Sequence, residues 1–302
     1  MPVQLRLFIR LSRPFFLLGA ALVYALGVGI ARYLGVTIDW GLYLLGQAYV
    51  TALQLSAQYL NEYFDAPGDI QNQNRTLFSG GSGAIGPGKL SRNTALIAAV
   101  TTLTFLASIS VVLLQQAPVS PLLILVMVVS FFGALFYSTP PIRLADSGYG
   151  ELTTSILVAN LVPAFAFIIQ FHDFHRLVMM STFPLTALHL AMMVVFELPD
   201  YAADLRQEKQ NLLIRLGWQR AMSLHNLLIL SAFLLLGISI WSGLPLAIAL
   251  PAFLPLPLGF LQIWQMRRIA AGARPNWTTL NLTAVVLFIS MVYLLAFAFW
   301  TR

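Results

Sequence analysis

The residues Asn61-Glu-Tyr-Phe-Asp65-Ala-Pro-Gly-Asp69 follow directly on an apolar run over 40–60. A run of about 20 apolar residues is long enough to cross a lipid bilayer. Acidic side chains beside a bilayer are costly unless a cation uses them. The stretch therefore predicts a membrane-spanning helix that ends in a cation-binding group of carboxylates. Because Pro67 and Gly68 disfavour helix, we expect the helix to end there and Asp69 to lie on a turn.

A second acidic stretch, over 197–209, also follows an apolar run, and it reads Glu-Leu-Pro-Asp-Tyr-Ala-Ala-Asp-Leu-Arg-Gln-Glu-Lys. Its acids Asp200, Asp204 and Glu208 are four residues apart, which predicts that they share one face of a helix. Like charges at this spacing repel each other without a cation between them. The pair of stretches predicts a site for Mg²⁺, which proteins commonly bind through carboxylates and substrate phosphates together.

The composition places the chain in the membrane. Of its 302 residues, 59% are hydrophobic and only 9% are charged, whereas soluble proteins carry about 25% charged residues. The absence of cysteine excludes disulfide and thiolate chemistry. Lys and Arg collect in the cytoplasmic loops of membrane proteins, so the net charge of +6 needs no nucleic-acid partner.

Apolar runs of spanning length recur along the chain and predict an all-α fold, a bundle of about nine transmembrane helices in a single domain over 1–302. The prolines of the eighth run are expected to kink its helix. The predicted spans are 14–34, 40–60, 94–115, 120–138, 152–171, 177–197, 220–241, 244–264 and 278–300.

The basic residues predict the orientation of this bundle. With the N-terminus inside, 14 of the 17 Lys and Arg residues fall in cytoplasmic segments, as the positive-inside rule requires. Both acidic stretches then follow helices that end on the cytoplasmic side. We therefore expect a multi-pass protein whose site faces the cytoplasm beneath a cap formed by the long loops.

Three motifs in order resemble those of the UbiA superfamily of intramembrane prenyltransferases. Two are the acidic stretches, Asn61-x3-Asp65-x3-Asp69 and Asp200-x3-Asp204-x4-Lys209. The third is the segment over 137–151, Tyr-Ser-Thr-Pro-Pro-Ile-Arg-Leu followed by Gly-Tyr-Gly-Glu. The resemblance covers nearly the whole chain, and it implies transfer of a prenyl chain from an isoprenyl diphosphate to an aromatic acceptor.

The resemblance also implies roles for individual residues. The metal ligands would be Asp65, Asp69, Asp200 and Asp204, which together with Lys209 form the catalytic group. Substrate-binding residues would be Asn61, Arg75, Tyr137, Arg143, Glu197 and Tyr201. Metal and cations neutralise the leaving diphosphate, and aromatic ring faces can stabilise an allylic carbocation. On an ideal helix Lys209 lies about 140° around from Asp204, so we expect the helix to end or bend near Glu208.

The acceptor is less constrained by sequence. The segments Phe78-Ser-Gly-Gly-Ser-Gly83 and 209–217 look more like the menaquinone branch of the superfamily, which implies 1,4-dihydroxy-2-naphthoate as acceptor. Alternatives are 4-hydroxybenzoate, a phytol-type alcohol or a glycerol phosphate. A non-catalytic lipid-binding homologue and a secondary transporter are the other hypotheses. Transporters place charged sites near the bilayer midplane, whereas these acids lie at helix ends, which favours the enzyme.

Overall fold

The computed structural model describes residues 3–70 and 74–302, and these fold as a helical bundle. Its first helices are α1 (Val3–Leu11), α2 (Pro14–Tyr33), α3 (Trp40–Asp69), α4 (Arg92–Gln116), α5 (Pro121–Ser138), α6 (Gly150–Ile156) and α7 (Val162–Phe171). The others are α8 (Arg176–Glu197), α9 (Tyr201–Arg206), α10 (Leu212–Leu216), α11 (Trp218–Trp241), α12 (Leu246–Ala249), α13 (Leu256–Ala270) and α14 (Trp277–Thr301).

Eight of the nine predicted spans coincide with helical stretches that are long and apolar enough to cross a membrane. Two of these stretches are composite. A π-helical turn, Leu157–Leu161, joins α6 to α7, and the proline-rich segment consists of α12, the 3-10 turn Leu250–Phe253 and α13. The remaining predicted span, 40–60, lies inside the 30-residue α3, which is less apolar because glutamines interrupt it.

The α3 helix continues through Pro67 to Asp69, so the prediction that Pro67 and Gly68 end it is wrong. Proline lacks the N–H that would bond to the carbonyl four residues earlier, which here belongs to Tyr63. The guanidinium of Arg92 supplies the missing donor, with Nε 2.5 Å from the Tyr63 oxygen. A side chain from the next helix thus satisfies the freed carbonyl and allows the helix to continue.

The same arrangement recurs at the proline inside α8. Pro184 frees the carbonyl of Met180, and the hydroxyl of Ser239 on α11 lies 2.8 Å from that oxygen. Helix α8 packs along α11, while α2 packs against α14 and α7, and α3 packs against α4. These contacts enclose one large apolar core and a second core where α1 and the loop over 74–91 cover the end of α3.

Candidate active site

The two acidic stretches meet at one end of the bundle, around the ammonium group of Lys209. Its Nζ lies 3.7 Å from Oδ2 of Asp65 and 3.6 Å from Oδ1 of Asp204. The end of α3 lies close to the segment that carries Lys209. Only glycine fits at position 68, because a Cβ there would lie 2.2 Å from the side chain of Gln207. Carboxylates that are 139 positions apart in the sequence therefore face the same cation.

Lys209 reaches this position because α9 ends early, as the sequence analysis required. The helix stops at Arg206, and Glu208 then adopts a left-handed backbone conformation with φ 55°. This turn brings the N–H of Lys209 to 3.1 Å from the carbonyl oxygen of Asp204. Glu208 itself is exposed beyond the helix, so the prediction that it shares a helical face with Asp204 is wrong.

Asp65 is held from two further sides. The amide of Asn61 donates to its Oδ2 at 2.8 Å and also to the hydroxyl of Ser138 at 3.2 Å. Arg143, in a left-handed conformation with φ 44°, places Nη2 3.9 Å from Asp65 Oδ1. Two of the residues expected to bind substrate, Asn61 and Arg143, thus lie directly beside the first carboxylate.

Arg143 also pairs with Asp146, a residue that the sequence analysis did not identify. Its Nη2 lies 2.8 Å from Asp146 Oδ2, while Asp146 Oδ1 is buried and has no hydrogen-bond partner among the described residues. Burial raises the pKa of Asp146, against the opposing attraction of Arg143. The signal that could have identified this acid was its position three residues after Arg143 in the third motif.

Asn211 is a second residue that the sequence analysis missed. Its Nδ2 donates to Asp204 Oδ2 at 2.9 Å, and its Oδ1 accepts from the N–H of Ile214 at 2.9 Å, which caps α10. An asparagine before an apolar run is a typical helix N-cap, so the cap was readable from sequence. The contact with Asp204 was not, because it depends on the turn at Glu208.

The carboxylates around Lys209 keep its side chain positively charged. Burial by itself would lower the pKa of Lys209, but the attraction of Asp65 and then of Asp204 outweighs it, so the pKa is raised. The ammonium therefore stays charged at neutral pH. Within residues 3–70 and 74–302, no three Asp, Glu or His side chains converge closely enough to bind a metal by themselves.

Asp69 and Arg75 lie where the loop over 74–91, which we call the cap loop, folds over the end of α3. A Cβ at position 81 would lie 2.0 Å from Asp69 Oδ2, so only glycine fits beside this carboxylate. Arg75 donates from Nη2 to the backbone oxygen of Asp69 and from Nε to that of Gly80 at 2.6 Å. Arg75, expected to bind phosphate, is therefore engaged with the backbone of its own loop.

A buried ion pair, also missed from sequence, fastens the cap loop to the bundle. Glu62 is 3% exposed and accepts from Nε of Arg13 at 3.0 Å. It also accepts from the N–H of Ser82 at 2.6 Å and from its hydroxyl at 2.7 Å. Burial would lower the pKa of Arg13, but attraction by Glu62 prevails and raises it. Two features of the sequence could have indicated this pair: Glu62 lies within the first motif, and Arg13 lies just before α2.

The remaining predicted site residues surround this centre. Glu197 accepts from the N–H of Leu213 at 3.3 Å, at the start of α10. Tyr137 lies near enough to Glu197 and Asp65 for electrostatic interaction. Tyr201 packs its ring 5.3 Å from that of Trp218. Asp200 ends the 3-10 turn that precedes α9, four residues before Asp204. Their substrate and metal contacts stay predictions.

Residues 20–292 match the sequence profile of the UbiA prenyltransferase family. The chain belongs to this family. It is a prenyltransferase and an integral multi-pass membrane protein, and the resemblance of its three motifs to the UbiA superfamily is confirmed. The family match also decides against the secondary transporter. No curated protein sequence matches the chain.

Solved structures of UbiA homologues share the fold. A homologue from Archaeoglobus fulgidus, solved with GPP and Mg²⁺, is 17% identical with a TM-score of 0.71, covering 98% of this chain and 100% of that one. A digeranylgeranylglyceryl phosphate synthase is 18% identical with a TM-score of 0.65 and 99% coverage of each chain. An apo homologue from Aeropyrum pernix is 13% identical with a TM-score of 0.63, covering 92% and 96%.

Proposed function

We propose that this UbiA-family protein transfers a prenyl chain from an isoprenyl diphosphate to an aromatic acceptor in the membrane, in a reaction that requires Mg²⁺. The observation that supports this is the convergence of Asp65 and Asp204 on the single ammonium of Lys209. Asp65 and Asp204 both face the same positive charge, as carboxylates that bind Mg²⁺ would. Mg²⁺ is commonly shared between such carboxylates and the phosphates of a substrate. The solved homologues in complex with GPP and with DMAPP, each with Mg²⁺, support the same chemistry.

The carboxylates are expected to hold the metal, with Asp65 and Asp204 closest to the centre and Asp69 and Asp200 beside them. Mg²⁺, when bound, supplies the positive charge that lets carboxylates and diphosphate oxygens lie together.

Two cationic side chains are placed to bind the diphosphate. Lys209 faces both carboxylates, and Arg143 lies 3.9 Å from Asp65. When the bond between C1 of the prenyl chain and the diphosphate oxygen breaks, its electron pair leaves with the diphosphate. Fixed cations stabilise this developing charge more strongly in a site that excludes water. We expect the cap loop to exclude water from the site. The loop is held in place through Glu62, which pairs with Arg13 and accepts hydrogen bonds from Ser82.

For the acceptor we propose 1,4-dihydroxy-2-naphthoate first and 4-hydroxybenzoate second, from the likeness of two segments to the menaquinone branch. The chemistry of the transfer requires an electron-rich ring, because the ring must attack a carbocation. We also propose that the site faces the cytoplasm, since the basic residues of the chain lie predominantly on the side of both acidic stretches.

The test is to incubate the purified protein with Mg²⁺, geranylgeranyl diphosphate and each acid, and to measure the masses of the products. Prenylation of the dihydroxynaphthoate should release CO₂, because attack occurs at the carboxylated carbon, whereas the 4-hydroxybenzoate product should retain its carboxylate. A product only from an alcohol or a glycerol phosphate would move the chain to another branch of the family. A protein that binds the diphosphate but yields no product would instead be a lipid-binding homologue.

A further inference from the structure

One face of α3 carries a continuous row of polar side chains from the carboxylates into the bundle. Its members recur every three or four residues, and with 3.6 residues per turn they lie within about 80° of one another around the helix. We call this row the amide row. It consists of Gln47, Thr51, Gln54, Gln58, Asn61 and Asp65.

Three oxygens of the amide row lack partners. The Oε1 atoms of Gln47, Gln54 and Gln58 are shielded from solvent and accept no hydrogen bond from any described residue. Buried polar atoms are rarely left unpaired in native proteins, and each such atom needs an explanation. Three amide oxygens on one helix face are therefore available to accept hydrogen bonds from a donor outside the chain.

The orientation of Gln54 follows from its other contact. Its Nε2 donates to the backbone oxygen of Phe16 at 3.0 Å, and reversing the amide would place two oxygens against each other. Oε1 is therefore the unpaired end of this side chain. The contact with α2 gives Nε2 of Gln54 a hydrogen-bond partner, whereas Oε1 has none among the described residues.

An aromatic layer lies next to Gln54, just beneath the cap. Phe16 packs edge-on against Phe78 of the cap loop, with ring centroids 6.1 Å apart, and against Phe196 of α8 at the same distance. Phe78 and Phe196 are parallel at 5.9 Å. Along the axis of α3, Gln58 lies about 10 Å and Gln54 about 16 Å from Asp65. Both amides are thus on the membrane side of the proposed diphosphate position.

We propose that Gln54 and Gln58 accept hydrogen bonds from the hydroxyl groups of a phenolic acceptor and so determine acceptor specificity, a role that rests on the proposed function. A carbonyl oxygen can pair with a hydroxyl donor but not with an ether. Accepting the bond increases electron density on the phenol oxygen and hence on the ring carbon that attacks C1. The amide takes no proton, so the hydroxyl group stays intact through the transfer. As the ring carbon bonds to C1, the C1–O bond to diphosphate breaks; the attacked carbon then loses its proton to the released diphosphate, or loses CO₂ when the acceptor is the dihydroxynaphthoate.

The experiment compares 4-hydroxybenzoate with 4-methoxybenzoate, or the corresponding naphthoate pair if the wild-type protein uses that acid. We expect the wild type to prefer the hydroxyl compound in kcat/KM by about tenfold or more, because the ether leaves a buried acceptor unpaired. The single hydroxyl of 4-hydroxybenzoate can donate to only one amide, so with this acid Gln58→Leu, the variant nearer the carboxylates, should reduce the preference severalfold. With the dihydroxynaphthoate, which has two hydroxyls, Gln58→Leu and Gln54→Leu should each reduce it. Gln58→Glu, which keeps an accepting oxygen, should retain the preference.

The matched control is Gln47→Leu, which removes an equally unpaired oxygen from the same row, about 27 Å from Asp65 along the helix. It should keep the wild-type preference and the wild-type KM for the prenyl diphosphate. Preferences that stay unchanged in the leucine variants of both Gln54 and Gln58 would overturn the proposal.

A second readout separates recognition from structure. The affinity for the prenyl diphosphate, measured without acceptor, should stay within about twofold of wild type in both leucine variants. If this affinity is lost together with the preference, the amides only maintain the fold and the specificity role is refuted. A wild-type protein that prenylates no phenol at all refutes the proposed function itself, and the role of the amides with it.

Discussion

Replacing Lys209 by methionine is expected to make the protein depend on a divalent cation for its stability. The substitution leaves Asp65 and Asp204 facing each other without the ammonium that now lies 3.7 and 3.6 Å from them. These carboxylates are only 12% and 11% exposed, and Lys209 is 19% exposed, so solvent screens the charges weakly. The methionine side chain keeps most of the packing volume, so the charge is the main change.

The magnitude follows from these distances. Each pair contributes about 4 kcal/mol of attraction at an effective dielectric constant near 20, much of which compensates for desolvation. Removing one member of a buried pair typically costs about 3 kcal/mol. For a chain of this length that cost lowers Tm by about 5 °C.

The assay is thermal unfolding of the purified variant in detergent, once with EDTA and once with Mg²⁺. We expect Lys209→Met to lose about 5 °C against wild type in EDTA and to recover most of it in Mg²⁺, because the metal then binds the two carboxylates. Its KM for the prenyl diphosphate should rise about tenfold, consistent with a lost charge-assisted contact. Lys209→Arg should behave much as wild type does.

Arg206→Met is the matched control, since Arg206 is an exposed basic residue on the last turn of α9. It should change neither the Tm nor its response to Mg²⁺. Equal stabilisation of wild type and Lys209→Met by Mg²⁺ would refute the expectation that Mg²⁺ can replace the missing ammonium between Asp65 and Asp204.

Three other predictions follow from the same structure. Asp204→Asn should reduce turnover by at least about 100-fold, and it should lower Tm less than Lys209→Met does, because Lys209 keeps Asp65 as a partner. EDTA should reproduce the loss of turnover reversibly in wild type; wild-type turnover in metal-free buffer would exclude the metal mechanism. Cysteines introduced at the exposed positions Asn93 and Gln210 should resist an impermeant thiol reagent in intact cells, and labelling of both would reverse the proposed orientation. Arg92→Met should destabilise the protein by about 1 kcal/mol, because it removes the exposed hydrogen bond to the Tyr63 carbonyl. The loss should be smaller in a Pro67→Ala background, where the helix has its own N–H; equal costs measured by thermal unfolding in both backgrounds would contradict the account of the proline.

The sequence by itself determined the class of protein, the spans and the family. Apolar runs of spanning length are local features, and nothing in a bilayer core except the chain can satisfy its backbone. The three motifs are likewise local, and their order was enough to indicate a UbiA prenyltransferase. The sequence also predicted that α9 ends before Lys209. In a continuous helix the side chain of Lys209 would point about 140° away from that of Asp204.

Only the tertiary structure decided how these local features meet. Pro67 ends a helix in isolation, but Arg92 from α4 supplies the missing donor, which no pattern within α3 encodes. The pair between Arg13 and Glu62 spans 49 positions, and the contacts of Lys209 with Asp65 span 144. Such partners depend on helix packing and on single backbone turns, such as the left-handed residue Glu208, because charges so distant in sequence carry no periodicity that links them.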